Sequence, residues 1–223
     1  MLLPLRMGRN SEARPLDKGP RLVVRPPSSP ARDHKRSLPA WFNSKPEVYQ
    51  SEMDLIGADR WIDRQYVLIV PSEVDDATLD WFLDRAEAAA VQHNAKVLVV
   101  DPWNEMDHRR LPVKSLTEYT GRAIKVFKRF AKKFLVAVVI VTHPAKQHKD
   151  QDGNVKVPTL YDILDSARWY NKADAGLIVH RVDNQTIIRV AKSRYHVEIG
   201  IPGEVHANFS SHGRRFAILS DDE

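Results

Sequence analysis

The stretch KVLVVDPWNEMD, residues 96–107, constrains this chain more than any other. Val97, Leu98, Val99 and Val100 form an apolar, mostly β-branched run that ends abruptly at Asp101. Such a run predicts a strand buried on both faces, as in a parallel sheet covered by helices. The carboxylate then stands at the strand's C-terminal end, the edge where open α/β sheets bind their ligands. Many nucleotide hydrolases hold Mg²⁺ with an acid so placed. The glycine-rich cradle that usually accompanies it, G-x-x-x-x-G-K-[ST], occurs nowhere in the 223 residues.

The rest of the chain repeats the theme of short apolar strands and long amphipathic helices. Helices are expected over 51–63, with Ser51 as N-cap, and over 76–93, 116–133 and 159–169. In the second, Leu79, Phe82, Leu83, Ala86 and Ala90 share a face; in the third, Tyr119, Ala123, Val126, Phe127 and Phe130 do. Strands are expected over 66–70, 96–100, 134–141 and 175–180. A polar turn at 182–185 pairs the last of these with 186–192 as a hairpin. Short strands at 195–198 and 204–209 flank a Gly-Ile-Pro-Gly turn. Strands alternating with helices imply an α/β fold with a mostly parallel central sheet, and the late hairpins imply an antiparallel C-terminal edge.

Charge separates the chain into two parts. Residues 1–50 hold ten Lys/Arg against four Asp/Glu, whereas the remainder is almost balanced, so the pI near 9.4 belongs to the N-terminal segment. That segment is rich in Pro, Arg and Ser and reads as irregular, apart from a candidate strand at 21–24. Its Arg-rich character also resembles a transit peptide, against which Glu12 and Asp17 stand. Residues 219–223 form an acidic tail. The chain has no cysteine, which excludes disulfides and thiolate metal sites and fits a reducing, cytoplasmic location. No apolar run approaches the ~18 residues of a membrane span, so no membrane partner is expected.

Four clusters could carry chemistry. Asp101 is followed by Asn104, and the acid is either a functional carboxylate or a cap on the strand's end. Residues 138–146, VVIVTHPAK, end another buried strand in Thr142 and His143, where a polar group can touch a terminal phosphate or simply cap the strand. Residues 166–181, SARWYNKADAGLIVHR, place Asn171, Lys172 and Asp174 before a strand and Arg181 after it, as a site or as a solvated connection. Lys192 and Arg194 lie two apart on a strand-like run and so share a face, either to reach a neighbour's phosphates or to keep an edge charged.

Taken in order, these blocks resemble the DnaB-like superfamily of hexameric replicative helicases, and within it the Twinkle-type primase–helicase branch. The residues that carry the resemblance are DPWNEMDH at 101–108, THPAK at 142–146, PTLYDILDSARWYNKADAGLIVHR at 158–181 and the Lys192/Arg194 pair. The resemblance implies a RecA-like three-layer core spanning about residues 51–218, with ATP and Mg²⁺ as cofactors. By that resemblance Asp101 would hold Mg²⁺ and help bind nucleotide with Asn104 and Arg181. His143 would sense the γ-phosphate, and Arg194 with Lys192 beside it would act as an arginine finger in a neighbouring subunit. A planar cation suits that role because charge grows on the transferring phosphoryl group. Single-stranded DNA would pass over Arg109, Arg110, Lys146, Lys149 and Lys156, a cationic track of the kind such binding needs. The partners implied are single-stranded DNA and a ring of identical subunits or a full-length helicase.

One departure from the family pattern is large. Where the phosphate-cradle strand and a glutamate-bearing strand are expected, the chain offers only RLVVRPPSSPARDHKRS at 21–37. The core is therefore expected to be N-terminally truncated, with no catalytic glutamate and no ATP hydrolysis of its own. The expected alternative is a non-enzymatic subunit that docks on a complete ring or completes a split ATPase site.

Overall fold

The computed structural model describes residues 21–24, 31–72, 75–106, 115–144, 149, 151, 155–163, 166–183, 185–212 and 214–219. Its first sheet holds four parallel strands in the order β2-β1-β3-β4: β1 Arg21–Val24, β2 Tyr66–Ile69, β3 Val97–Val100 and β4 Ala137–Ile140. The candidate strand at 21–24 is thus real and central: Val23 pairs with Leu68 of β2 and with Val99 of β3. The chain leaves β1 toward β2 and later returns on its other side as β3. That reversal makes a crevice at the C-terminal ends of β1 and β3, where Val24 and Val100 pair.

Helices α3 (Leu79–Gln92) and α4 (Leu116–Phe134) link β2 to β3 and β3 to β4. Right-handed crossovers in the same direction put both on one face of the sheet. There Phe82, Ala86, Leu98, Val100, Ala123 and Phe127 are almost wholly buried in one core, with the Phe82 and Phe127 rings 6.3 Å apart. The expected inward residues of both helices lie in or against this core, Leu83, Ala90 and Val126 being only partly buried. In β3 the alternate residues Val97 and Val99 stay half-exposed, so its second face is less covered than a strand buried on both sides would be.

Helices α1 (Ala31–Asn43) and α2 (Glu52–Gln65) connect β1 to β2 and pack on each other. Moving the opposite way along the sheet, this connection belongs to the other face and completes three layers. Ser51 caps α2 as expected, its side chain accepting from the Asp54 amide while Asp54 accepts from the Ser51 amide. Trp41, Phe42, Trp61 and Tyr66 form a separate aromatic cluster between these elements. The irregular segment expected over 1–50 therefore gives way to a helix at 31–43. Pro39 lies inside it, and the apolar Trp41 and Phe42 on Trp61 outweigh the hydrogen bond it removes.

The antiparallel strands are not an edge of the first sheet but a second one, ordered β5-β6-β7-β8: β5 Ala175–Val182, β6 Gln185–Ser193, β7 Gly203–Ser210 and β8 Arg215–Ile218. The β5–β6 hairpin is as expected, while β8 adds a strand, clasped by a Phe209–Phe216 ring contact at 5.0 Å. Helix α5 is Ser166–Lys172, shorter and later than the 159–169 helix expected. Of residues 195–198, expected as strand, Tyr195 precedes and the rest lie in the short helix α6, His196–Ile199. Strand β4 starts at Ala137 rather than 134, because α4 runs to Phe134 and Leu135 closes it in the left-handed conformation at φ 53°. Among the described residues no helix is long and apolar enough to cross a membrane.

Candidate functional site

Asp101 follows Val100 directly and lies half-buried at the mouth of the crevice. Pro102 and a single 3₁₀ turn, Trp103–Glu105, then fold the chain across the end of β4. Trp103 anchors this turn. Its amide donates to the Val141 carbonyl at 2.7 Å, and its buried ring packs on Tyr119 and edge-to-face on Trp169, with centroids 6.0 and 5.6 Å away. The anchored turn delivers Asn104 to the start of the next loop. The Asn104 Oδ1 accepts from the Thr142 hydroxyl and from the His143 amide, each at 3.0 Å. Asn104, Thr142 and His143, read separately from two strand ends, are thus joined as a polar rim, with Asp101 three residues before Asn104 at the same strand end. The His143 side chain is exposed there.

The second grouping forms where α5 runs into β5. Asn171 and Lys172 end that helix and Asp174 follows it just before β5, and the last carbonyls of a helix attract cations. The Lys192 ammonium donates to the Tyr170 carbonyl and lies 5.0 Å over the Tyr170 ring. The Arg194 guanidinium donates to the Asn171 carbonyl at 2.8 Å and to the Asp174 carboxylate at 2.9 Å. Lys128 of α4 reaches the same carboxylate oxygen at 2.7 Å, and Lys172 donates back to the Gly121 carbonyl at 2.9 Å. Two cations, Arg194 and Lys128, therefore share one carboxylate oxygen, with Lys192 close by. Partial desolvation, followed by the nearby Arg194 charge, lowers the Lys192 pKa below its usual value. The pairing of Lys192 with Arg194 was readable from their spacing. Lys128 was not, because its partner Asp174 is 46 residues away.

The remaining candidates are dispersed. Arg181 lies at the far end of the β5–β6 hairpin, where it donates to the Asp183 carbonyl at 3.1 Å, and it is not brought to Asp101. Lys149 and Lys156 are exposed on the connection between β4 and α5, where Lys149 pairs with Val155 in an isolated bridge. Arg109, Arg110 and Lys146 lie outside the described residues, as does most of the 219–223 tail.

Asp101 suits one water-mediated contact to a cation, but among the described residues no group of three or more His, Cys, Asp or Glu converges to hold a metal ion. No glycine-rich cradle exists in the sequence to take the phosphates.

No family model matches this chain. The Twinkle homolog protein of Arabidopsis thaliana, described as chloroplastic/mitochondrial, is 44% identical over 104 residues. Those residues are 47% of this chain and 14% of that protein, so the chain spans a small part of the relative it matches. The relative's described location does not fit the plain cytoplasmic one expected here. Among solved structures, one described as an ATPase domain superposes with a TM-score of 0.72 at 15% identity, covering 90% of this chain and 75% of that one. A DnaB-like replicative helicase, described with its interactions with primase, gives the same TM-score and identity over 90% of this chain and 52% of its own. The sequence resembles a Twinkle-type protein, and the fold is that of DnaB-like helicase ATPase domains.

Proposed function

We propose that this helicase-family domain acts as a partial subunit of a DnaB-like ring, with no ATP hydrolysis of its own. It supplies a single-stranded DNA surface and the Lys192/Arg194 pair to a neighbour. The observation that carries this reading is the lopsided site. Asn104 ties the turn after β3 to Thr142 and the His143 amide, which supports reading this rim as the acid and sensor half. The phosphate cradle is not among these 223 residues. In such a domain Asp101 would be the residue that holds Mg²⁺, which when bound would supply neutralising charge beside nucleotide phosphates. Asn104 would keep His143 facing that space. Lys192 lies near the end of β6 in the second sheet and Arg194 directly follows that strand, away from this rim, which suits action toward another subunit.

Calorimetric titration of the purified chain tests the reading. MgATP should give no measurable heat at millimolar concentration, while a single-stranded oligonucleotide should bind with strong salt dependence. Tight MgATP binding abolished by Asp101→Asn would show that the chain holds nucleotide unaided and refute the proposal.

A further inference from the structure

A cleft of about 570 Å³ opens between the turn at 159–163, α5 and the second sheet, lined by Leu160, Tyr161, Tyr170, Ile178, Arg189 and Glu204 among others. It shares Tyr170 with the cation cluster and none of its other lining with that cluster or with the rim at Asp101. Its most unusual wall is a pair of tyrosines. The Tyr161 ring stacks on Tyr170, with centroids 4.8 Å apart and planes 26° apart, yet Tyr161 is 59% exposed. A large ring held in a stack but left in water offers a ready surface to another planar ring.

The turn that carries this ring is also pinned. The Asp162 carboxylate accepts from the Thr159 amide at 2.6 Å and its hydroxyl at 2.9 Å, and the Thr159 hydroxyl accepts from the Tyr161 amide at 3.2 Å. Leu160 wedges against Gly176 so closely that a Cβ there would fall 2.5 Å from its Cδ1. Ile163 bridges to Pro144, the residue after His143. A platform fixed on three sides loses little entropy on binding.

Charge selects the occupant. Lys156 and Lys149 are exposed on the segment leading into the turn, and the Lys192 ammonium stands over the Tyr170 ring. The acid in the wall, Glu204, is matched by Arg189 at 2.5 Å and approached by His206 at 3.1 Å. An exposed aromatic stack with lysines alongside is the combination that binds unpaired bases and their phosphates.

We propose that the Tyr161–Tyr170 wall stacks a base of single-stranded DNA whose phosphates pass over Lys156 and Lys149. This rests on the reading that the chain retains a single-stranded DNA surface, and it names where one base sits. Fluorescence anisotropy with a labelled oligo-dT, using the full chain, tests it. Tyr161→Ala should weaken binding about tenfold with the salt slope unchanged, since stacking carries no counterions. Tyr161→Phe should bind within about twofold of the wild type, because the ring is kept. Lys156→Ala should lower the salt slope by about one. An oligonucleotide carrying 5-iodouracil should photocrosslink to Tyr161. Wild-type affinity in Tyr161→Ala, with no crosslink at Tyr161, would overturn the stacking site while leaving DNA binding intact. A crosslink of 8-azido-ATP at Tyr161 that oligo-dT does not displace would assign the cleft to a nucleotide and overturn it too. Failure of the wild-type chain to bind DNA would sink the DNA reading itself.

Discussion

Arg194 and Asp174 are joined twice. The Arg194 amide donates to the Asp174 carbonyl at 2.8 Å, and its guanidinium donates to the Asp174 carboxylate at 2.9 Å. The carboxylate takes Lys128 on the same oxygen. The cation proposed to reach a neighbour is therefore held against its own subunit, and reaching outward means giving up part of this network.

Asp174→Ala should lower stability by about 1 kcal/mol, since the carboxylate is half-exposed and each pair is worth little singly. Urea denaturation reads this directly. In a double-mutant cycle, Lys128→Ala should cost much less when Asp174 is already Ala. Additive costs would show that the pair is not coupled.

Asn104→Ala removes the acceptor for Thr142 and for the His143 amide. The expected loss is about 1 kcal/mol, small because water can replace an exposed acceptor. Hydrogen exchange is the sharper probe: the His143 amide should exchange faster while the buried centre of β3 stays protected.

Gly176→Ala drives a methyl into Leu160, with Cδ1 at 2.5 Å and Cγ at 3.3 Å from the new carbon. The whole branched end of the side chain must move, which should cost about 1–3 kcal/mol. Combined with Leu160→Ala, the same substitution should cost far less than the two single losses added, as measured by thermal melting. Additivity would place the strain elsewhere.

Asp54 gives a pH prediction. Hydrogen bonds from the Ser51 amide, Lys45 and the Ser51 hydroxyl lower its pKa from 3.8 to about 2. A carboxyl depressed in the folded state stabilises above its unfolded pKa and loses that contribution as pH falls through the folded value. The start of α2 should therefore weaken between about pH 4 and pH 2. Asp54→Asn should flatten the stability curve in that window. An unchanged acid profile in the variant would refute the capping role.

Periodicity made α3 and α4 legible, because their apolar stripes continue for several turns and end in the common core. It failed at 196–199, where four residues, His-Val-Glu-Ile, fit either alternation or one helical turn. Val197 is 96% exposed, so packing leaves no trace in the pattern. It failed again at 159–163, where the Asp162 side chain captures Thr159 and builds a turn in place of helix. At the site, Asp101 and the Lys192/Arg194 pair were readable as local patterns. The contacts that give them form, Asn104 to His143 and Lys128 to Asp174, span 39 and 46 residues and have no local signature. Tyr161 and Tyr170 were visible as letters, but only the turn at Thr159 brings their rings together.

DNA-stimulated ATP turnover in a mixture tests the central claim most directly. A full-length Twinkle-type helicase would be titrated with this chain, wild type or Arg194→Ala, in the presence of single-stranded DNA. The chain alone should give no turnover. Adding the wild type should change the helicase's rate, and Arg194→Ala should change it differently at equal incorporation. Turnover by the chain alone would contradict the account, as would a mixed rate indifferent to Arg194.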